Sequence, residues 1–139
     1  MSSSFGTISH TADLKFWVEA DSLEELFASA ALALASLMYQ GPREAEMQWL
    51  SFSTDGIDLA DLLVLLLSEV VYQADAEGLL IAAARVSSLS QNYLDAKLGV
   101  IALDPALHTL GEPVKAVTYH EASVAKTEAG WRAEVVLDV

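Results

Sequence analysis

Four places in this sequence carry side chains able to do chemistry. His10-Thr-Ala-Asp13 sets an imidazole and a carboxylate between two short strand-like pieces. The plain reading of such an Asp is a turn residue that accepts backbone N–H bonds. The sharper reading is a metal ligand or a catalytic acid. Asp138-Val139 closes the sequence with a carboxylate side chain next to the terminal carboxylate. Two hard oxygen donors so close form a plausible half-site for Ca²⁺ or Mg²⁺. Last residues often fray. Here Trp131, Ala133, Val135, Leu137 and Val139 alternate to the final position, as in a strand tied into a sheet. Lys115, in Lys115-Ala-Val-Thr-Tyr-His120, sits at the head of a half-polar strand. Such a lysine usually snorkels to solvent. It could instead balance carboxylates or meet a phosphate. Asp104-Pro-Ala-Leu-His108 offers an Asp and a His with nothing to fix their geometry.

Elements must position these residues. In Leu14-Lys-Phe-Trp-Val-Glu-Ala20, Leu14, Phe16 and Val18 share one face, and Lys15 and Glu19 share the other. Ser22-Leu-Glu-Glu25 has the form of a capping box. Apolar residues from Leu23 to Met38 then recur at helical spacing, and Gly41-Pro42 stops the helix. Residues 47–53 read as a strand. Asp58 reads as the N-cap of a second helix, which runs to about Ala76 and is ended by Glu77-Gly78. Residues 79–86, 93–103, 114–126 and 131–139 read as strands, the last two joined by Thr-Glu-Ala-Gly130. Alternation over 115–120 puts Lys115, Val117 and Tyr119 on one face, and Ala116, Thr118 and His120 on the other. The order β-β-α-β-α-β-β-β-β predicts an α+β fold, mainly antiparallel sheet with two helices packed on it, as a single domain over 1–139.

The segments above, taken together with Asp58-Leu-Ala-Asp-Leu-Leu63, Glu69, Tyr72 and Asp75-Ala-Glu-Gly-Leu79, resemble the archease family in order and over nearly the whole chain. The resemblance implies an archease-like fold and a small cytoplasmic protein. It implies an accessory protein rather than an enzyme, with no catalytic residue of its own. Its partner would be an RtcB-type RNA ligase, which joins 2′,3′-cyclic phosphate or 3′-phosphate ends to 5′-hydroxyl ends in tRNA splicing and RNA repair. The accessory protein promotes guanylylation and multiple turnover of that ligase and meets RNA only through it. The family binds a divalent metal, Ca²⁺ foremost and Mg²⁺ or Mn²⁺ as alternatives. Carried over by motif, the ligands are Asp13, Asp138 and the carboxylate of Val139, and Lys115 is the residue implicated in activity. Leu65 and Leu66 depart from an acidic residue and a tryptophan carried by many members. Gly99-Val-Ile-Ala-Leu103 departs from a Gly-Glu-Pro-type turn.

Composition narrows the function classes. With 7 Lys plus Arg against 20 Asp plus Glu, the formal charge is −13. That argues against a direct grip on nucleic acid, which needs many phosphate contacts. It argues equally against an anionic membrane surface. The run Leu62 to Leu67 is bracketed too closely by Asp58, Asp61 and Glu69 to supply the roughly 20 apolar residues of a membrane span. No cysteine is present, so disulfides, thiolate metal sites and a cysteine nucleophile are excluded. The first residues, Met1 to Phe5, lack the basic and apolar regions of a secretory signal. No Lys or Arg falls between Arg43 and Arg85, an interval with eight acids. This predicts one negative face in the middle third, either simply solvated or a dock for a basic partner. Two rivals to the ligase cofactor remain. One is an acidic, chaperone-like protein-binding module with a structural metal. The other is a small metal-dependent hydrolase, for which no paired base and nucleophile is visible.

Overall fold

A computed structural model describes residues 3–9 and 13–139 of the chain. The elements run β1 (Ser3–Ser9), β2 (Asp13–Ala20), α1 (Leu23–Met38), β3 (Tyr39–Gln40), β4 (Gln48–Asp55) and α2 (Leu59–Glu77). They continue with β5 (Leu79–Leu89), β6 (Tyr93–Ala102), β7 (Thr109–Leu110), β8 (Ala116–Thr127) and β9 (Gly130–Asp138). Apart from the two-residue strands β3 and β7, this is the predicted order.

Among the described residues three antiparallel sheets form. The largest has the order β1-β2-β9-β8, a second has β4-β6-β5, and β3 pairs with β7. Placing β9 beside β2 brings segments more than a hundred positions apart into one ladder. Each helix packs against strands of both larger sheets, α1 on β5 and β2, and α2 on β8 and β5. That explains why α2 is apolar nearly all round. Leu62, Leu63, Leu66 and Leu67 are all essentially inaccessible to solvent. The core cluster joins these leucines to Phe16, Phe27, Leu34, Leu94, Leu98 and Val135.

The helix starts follow the sequence signals. The Ser22 side chain accepts the Glu25 N–H at 3.2 Å, as in a capping box. Its reciprocal half does not show the expected satisfaction, since Glu25 Oε2 is buried without a partner. At α2, Asp58 accepts the Asp61 N–H at 2.8 Å, and the Asp61 carboxylate accepts the Ile57 N–H at 2.7 Å. These two acids are therefore part of the helix start. Gly78 ends α2 in the left-handed region at φ 63°.

α1 ends at Met38, where its apolar periodicity ends and just before Gly41-Pro42, but the groups that cap it come from beyond that stop. The Arg43 guanidinium donates to the carbonyls of Ala35, Tyr39 and Gly41 at 3.1, 2.6 and 2.9 Å, capping the last turn. His108 anchors the next crossing. Its Nδ1 accepts the Asp104 N–H at 3.0 Å and its Nε2 donates to the Pro42 carbonyl at 2.7 Å. The geometry of Asp104 and His108 is thus fixed, and it is that of a buried clasp.

Two expectations need correction. Alternation through β8 breaks after Thr118. Residues 119–122 all fall opposite Val135, and Glu121 adopts φ 61° within this bulge. Tyr119 is 56% exposed and does not share the half-buried setting of Val117. Lys115 precedes the strand rather than lying within it. The eight acids of the lysine-free interval also do not form one face. Asp61 is buried at the start of α2, while Asp75 and Glu77 lie at the far end of this 19-residue helix, about 25 Å away.

Candidate metal centre

The solvent face of the β2–β9 ladder carries the candidate residues. Leu14, Phe16 and Val18 point to the core, so Asp13, Lys15, Trp17 and Glu19 point away from it. On β9, Ala133, Val135 and Leu137 join the core, which leaves Arg132, Glu134, Val136 and Asp138 on the same outer face as the odd residues of β2. The register sets Asp13 directly opposite Asp138. Directly opposed residues of an antiparallel pair hold their Cβ atoms about 5 Å apart.

Asp13 opens β2 and is exposed, and Asp138 is half-buried. Among the described residues neither carboxylate receives a hydrogen bond or an ion pair. Like charges so placed repel. Asp13 thus opens a strand, and its carboxylate has no partner among the described residues. The Asp138 carbonyl accepts the Lys115 N–H at 2.7 Å. Lys115 is thereby held by its main chain beside the acidic pair, with its side chain exposed and in no ion pair among the described residues. Val139 packs its side chain against the core cluster. His10 of the same motif lies outside the described residues. The structure thus brings together Asp13, Asp138, Val139 and Lys115, and it leaves Asp104 and His108 in a separate clasp.

The donor set is of the kind a hard divalent ion takes. Carboxylate oxygens are the ligands such ions take, and their charge would be offset on binding. Among the described residues no group of three His, Cys, Asp or Glu side chains is disposed to hold a metal. Two side-chain carboxylates make only part of a shell, and the Val139 carboxylate would be a main-chain donor.

A second charged array occupies the same face, and only its solvent-facing alternation hinted at it in the sequence. Lys15 Nζ lies 3.4 Å from Glu134 Oε1. Arg132 binds Glu134 Oε2 at 3.0 Å and Glu19 Oε2 at 3.1 Å. Its guanidinium sits 4.8 Å above the Trp17 ring. The hydrogen bond from Arg132, reinforced by Lys15, holds the Glu134 carboxyl below the ordinary glutamate range against an opposing effect of burial.

No helix of the described residues is long and apolar enough to cross a membrane. Comparison with known proteins places the chain. The family model for the archease protein family (MTH1598/TM1083) matches residues 5–139. The protein archease of Methanosarcina mazei is 31% identical over 139 residues, covering 95% of this chain and 93% of that one. That of Pyrococcus abyssi is 34% identical over 134 residues, covering 94% of each. The solution structure of Methanobacterium thermoautotrophicum protein 1598 superposes with a TM-score of 0.75 at 26% identity, covering 97% of this chain and 98% of that one. On a full-length family match, relatives of this similarity and a shared fold, the chain belongs to the archease family.

Proposed function

We propose that this chain is a cytoplasmic protein cofactor of an RtcB-type RNA ligase, promoting the ligase's guanylylation and multiple turnover in tRNA splicing and RNA repair. In this reading it is not itself an enzyme. Asp13, Asp138 and the main-chain carboxylate of Val139 hold a divalent cation, Ca²⁺ ahead of Mg²⁺ and Mn²⁺. The observation that carries the reading is the Asp13–Asp138 pair, opposed across the ladder of a chain of the archease family and without an ion-pair partner among the described residues.

When bound, a divalent ion supplies positive charge and coordination positions open to phosphate oxygens. The chain's own residues do the rest. Asp13 and Asp138 stand at the end of a ladder that β2 and β9 hold rigid from the core side. In this reading Lys115, whose N–H is tied to the Asp138 carbonyl, balances charge there or meets a triphosphate. The formal charge of −13 keeps the protein from gripping RNA and leaves that to the ligase.

The test is GMP transfer to a cognate ligase, with and without this protein, under added Mn²⁺ and Ca²⁺. The unmodified protein is expected to stimulate both GMP transfer and multi-turnover ligation. Asp13→Ala and Asp138→Ala are expected to lose most of that stimulation, and Lys115→Ala to weaken it. Full multi-turnover ligation with either aspartate variant would overturn the assignment of the site. Loss of thermal stability without loss of stimulation would instead identify a structural ion.

A further inference from the structure

We propose that Glu134 is a positioning residue that holds Lys15 away from the Asp13–Asp138 pair, and so sets the pair's affinity for a divalent cation. The inference rests on the metal reading above.

Three carboxylates on one face compete for the Lys15 ammonium. Its cross-strand partner is Val136, and on β9 Glu134 and Asp138 flank that partner at the two diagonal positions. Asp13 stands two positions earlier on β2 itself, also on the outer face. Diagonal neighbours on a ladder, about 7 Å apart, are within reach of a long side chain. The lysine goes to Glu134, at 3.4 Å. Directed the other way, it would be an internal counter-ion of the acidic pair, and a metal ion would have to displace it.

Glu134 is built to win this competition. Its second oxygen is held by Arg132 at 3.0 Å, so the carboxylate is fixed in place with one oxygen left for Lys15. Arg132 is itself fixed, by Glu19 at 3.1 Å and by the Trp17 ring beneath it at 4.8 Å. Trp17 in turn lies across Gly6 of β1, where a Cβ would come within 2.7 Å of the indole. Contacts therefore run from β1 through β2 and β9 to Lys15. Among the described residues they leave Asp13 and Asp138 without a cationic partner.

The test is calorimetric titration of the full chain with Ca²⁺, and separately Mn²⁺, at moderate salt, in a four-protein cycle. Glu134→Gln retains a hydrogen-bond acceptor for Arg132 but releases Lys15. It is expected to weaken Ca²⁺ binding about ten-fold. Lys15→Met is expected to bind as tightly as the unmodified chain or more so. In the Lys15→Met background, Glu134→Gln is expected to change affinity less than about two-fold. An equal loss in both backgrounds would mean that Glu134 acts only through its general field, and would overturn the proposal, as would no loss in either. Circular dichroism of each variant confirms that the ladder is intact. Asp13→Asn should abolish the titrated site in every background. If the unmodified chain takes up neither ion, or Asp13→Asn binds undiminished, the metal reading itself fails and the role of Glu134 falls with it.

Discussion

At the scale of single residues, the central fact is one carboxylate facing another. Two like charges opposed on an exposed ladder cost the folded state a few tenths of a kcal/mol or more. Asp13→Asn should therefore stabilise the metal-free protein. In EDTA the expected gain is about 0.5 kcal/mol, or roughly 1–3 °C in Tm. Saturating Ca²⁺ should reverse the order, because ion binding stabilises only the chain that binds. Thermal melts of both proteins with and without Ca²⁺ check this. A variant less stable than the unmodified chain in EDTA would show that the two carboxylates do not repel at this register. The sequence made both aspartates visible as oxygen donors, and the alternation from Trp131 to Val139 argued for an ordered terminal strand. Their pairing was implied only by the family resemblance and not by the local pattern. That is a property of register between segments more than a hundred positions apart, set by which faces are buried on β2 and β9. The Lys115 N–H bond to Asp138 was equally out of reach, because it is made by a main-chain atom that any residue type would supply.

At the scale of elements, two glycines that look alike in sequence do different work. Gly78 ends α2 at φ 63° with nothing near the position of a Cβ. Gly41 follows α1 at φ 131°, and a Cβ there would come within 2.3 Å of the Leu107 carbonyl oxygen. Gly78→Ala should thus cost about 1 kcal/mol, the strain of the left-handed region alone. Gly41→Ala should cost about 3 kcal/mol or more, since it also drives the 104–108 turn away and loosens the His108 clasp on Pro42. Chemical denaturation of the two variants checks the contrast, and equal losses would show that the Leu107 approach is unimportant. Helix starts were legible because capping is local chemistry: Ser22 and Asp58 each act within one turn. The end of α1 at Met38 was legible too, from its periodicity and Gly41-Pro42, but its cap was not, because Arg43 reaches it from beyond that stop. The bulge of β8 was hidden for a related reason. Residues 119–122 keep the composition of a strand, and only the partner strand shows that they do not pair as one.

At the scale of the whole molecule, the charge of −13 is best understood as a field and not as a face. The lysine-free interval suggested one negative face, yet its acids lie before β4 (Glu44, Glu46), at the end of β4 (Asp55), at the start of α2 (Asp58, Asp61), in its middle (Glu69) and at its far end (Asp75, Glu77). Some of them are already engaged: Asp58 and Asp61 in the helix cap, Glu69 with Gln73 and Glu77 with Tyr72. A field of this kind steers encounters with a basic surface and has little say in how firmly the docked pair holds. Under the ligase-cofactor reading, association with the ligase should slow about ten-fold or more between low and high salt, while dissociation changes much less. Neutralising pairs of acids, such as Glu44 with Glu46 or Asp75 with Glu77, should each slow association by about two-fold, with no single pair decisive. Stopped-flow or surface binding measurements across a salt series separate the two rates. An association rate insensitive to salt would remove the electrostatic part of the reading and leave the partner to be recognised by shape. Loss of binding on removing one acidic pair alone would restore the single docking face that the scattered positions of these acids argue against.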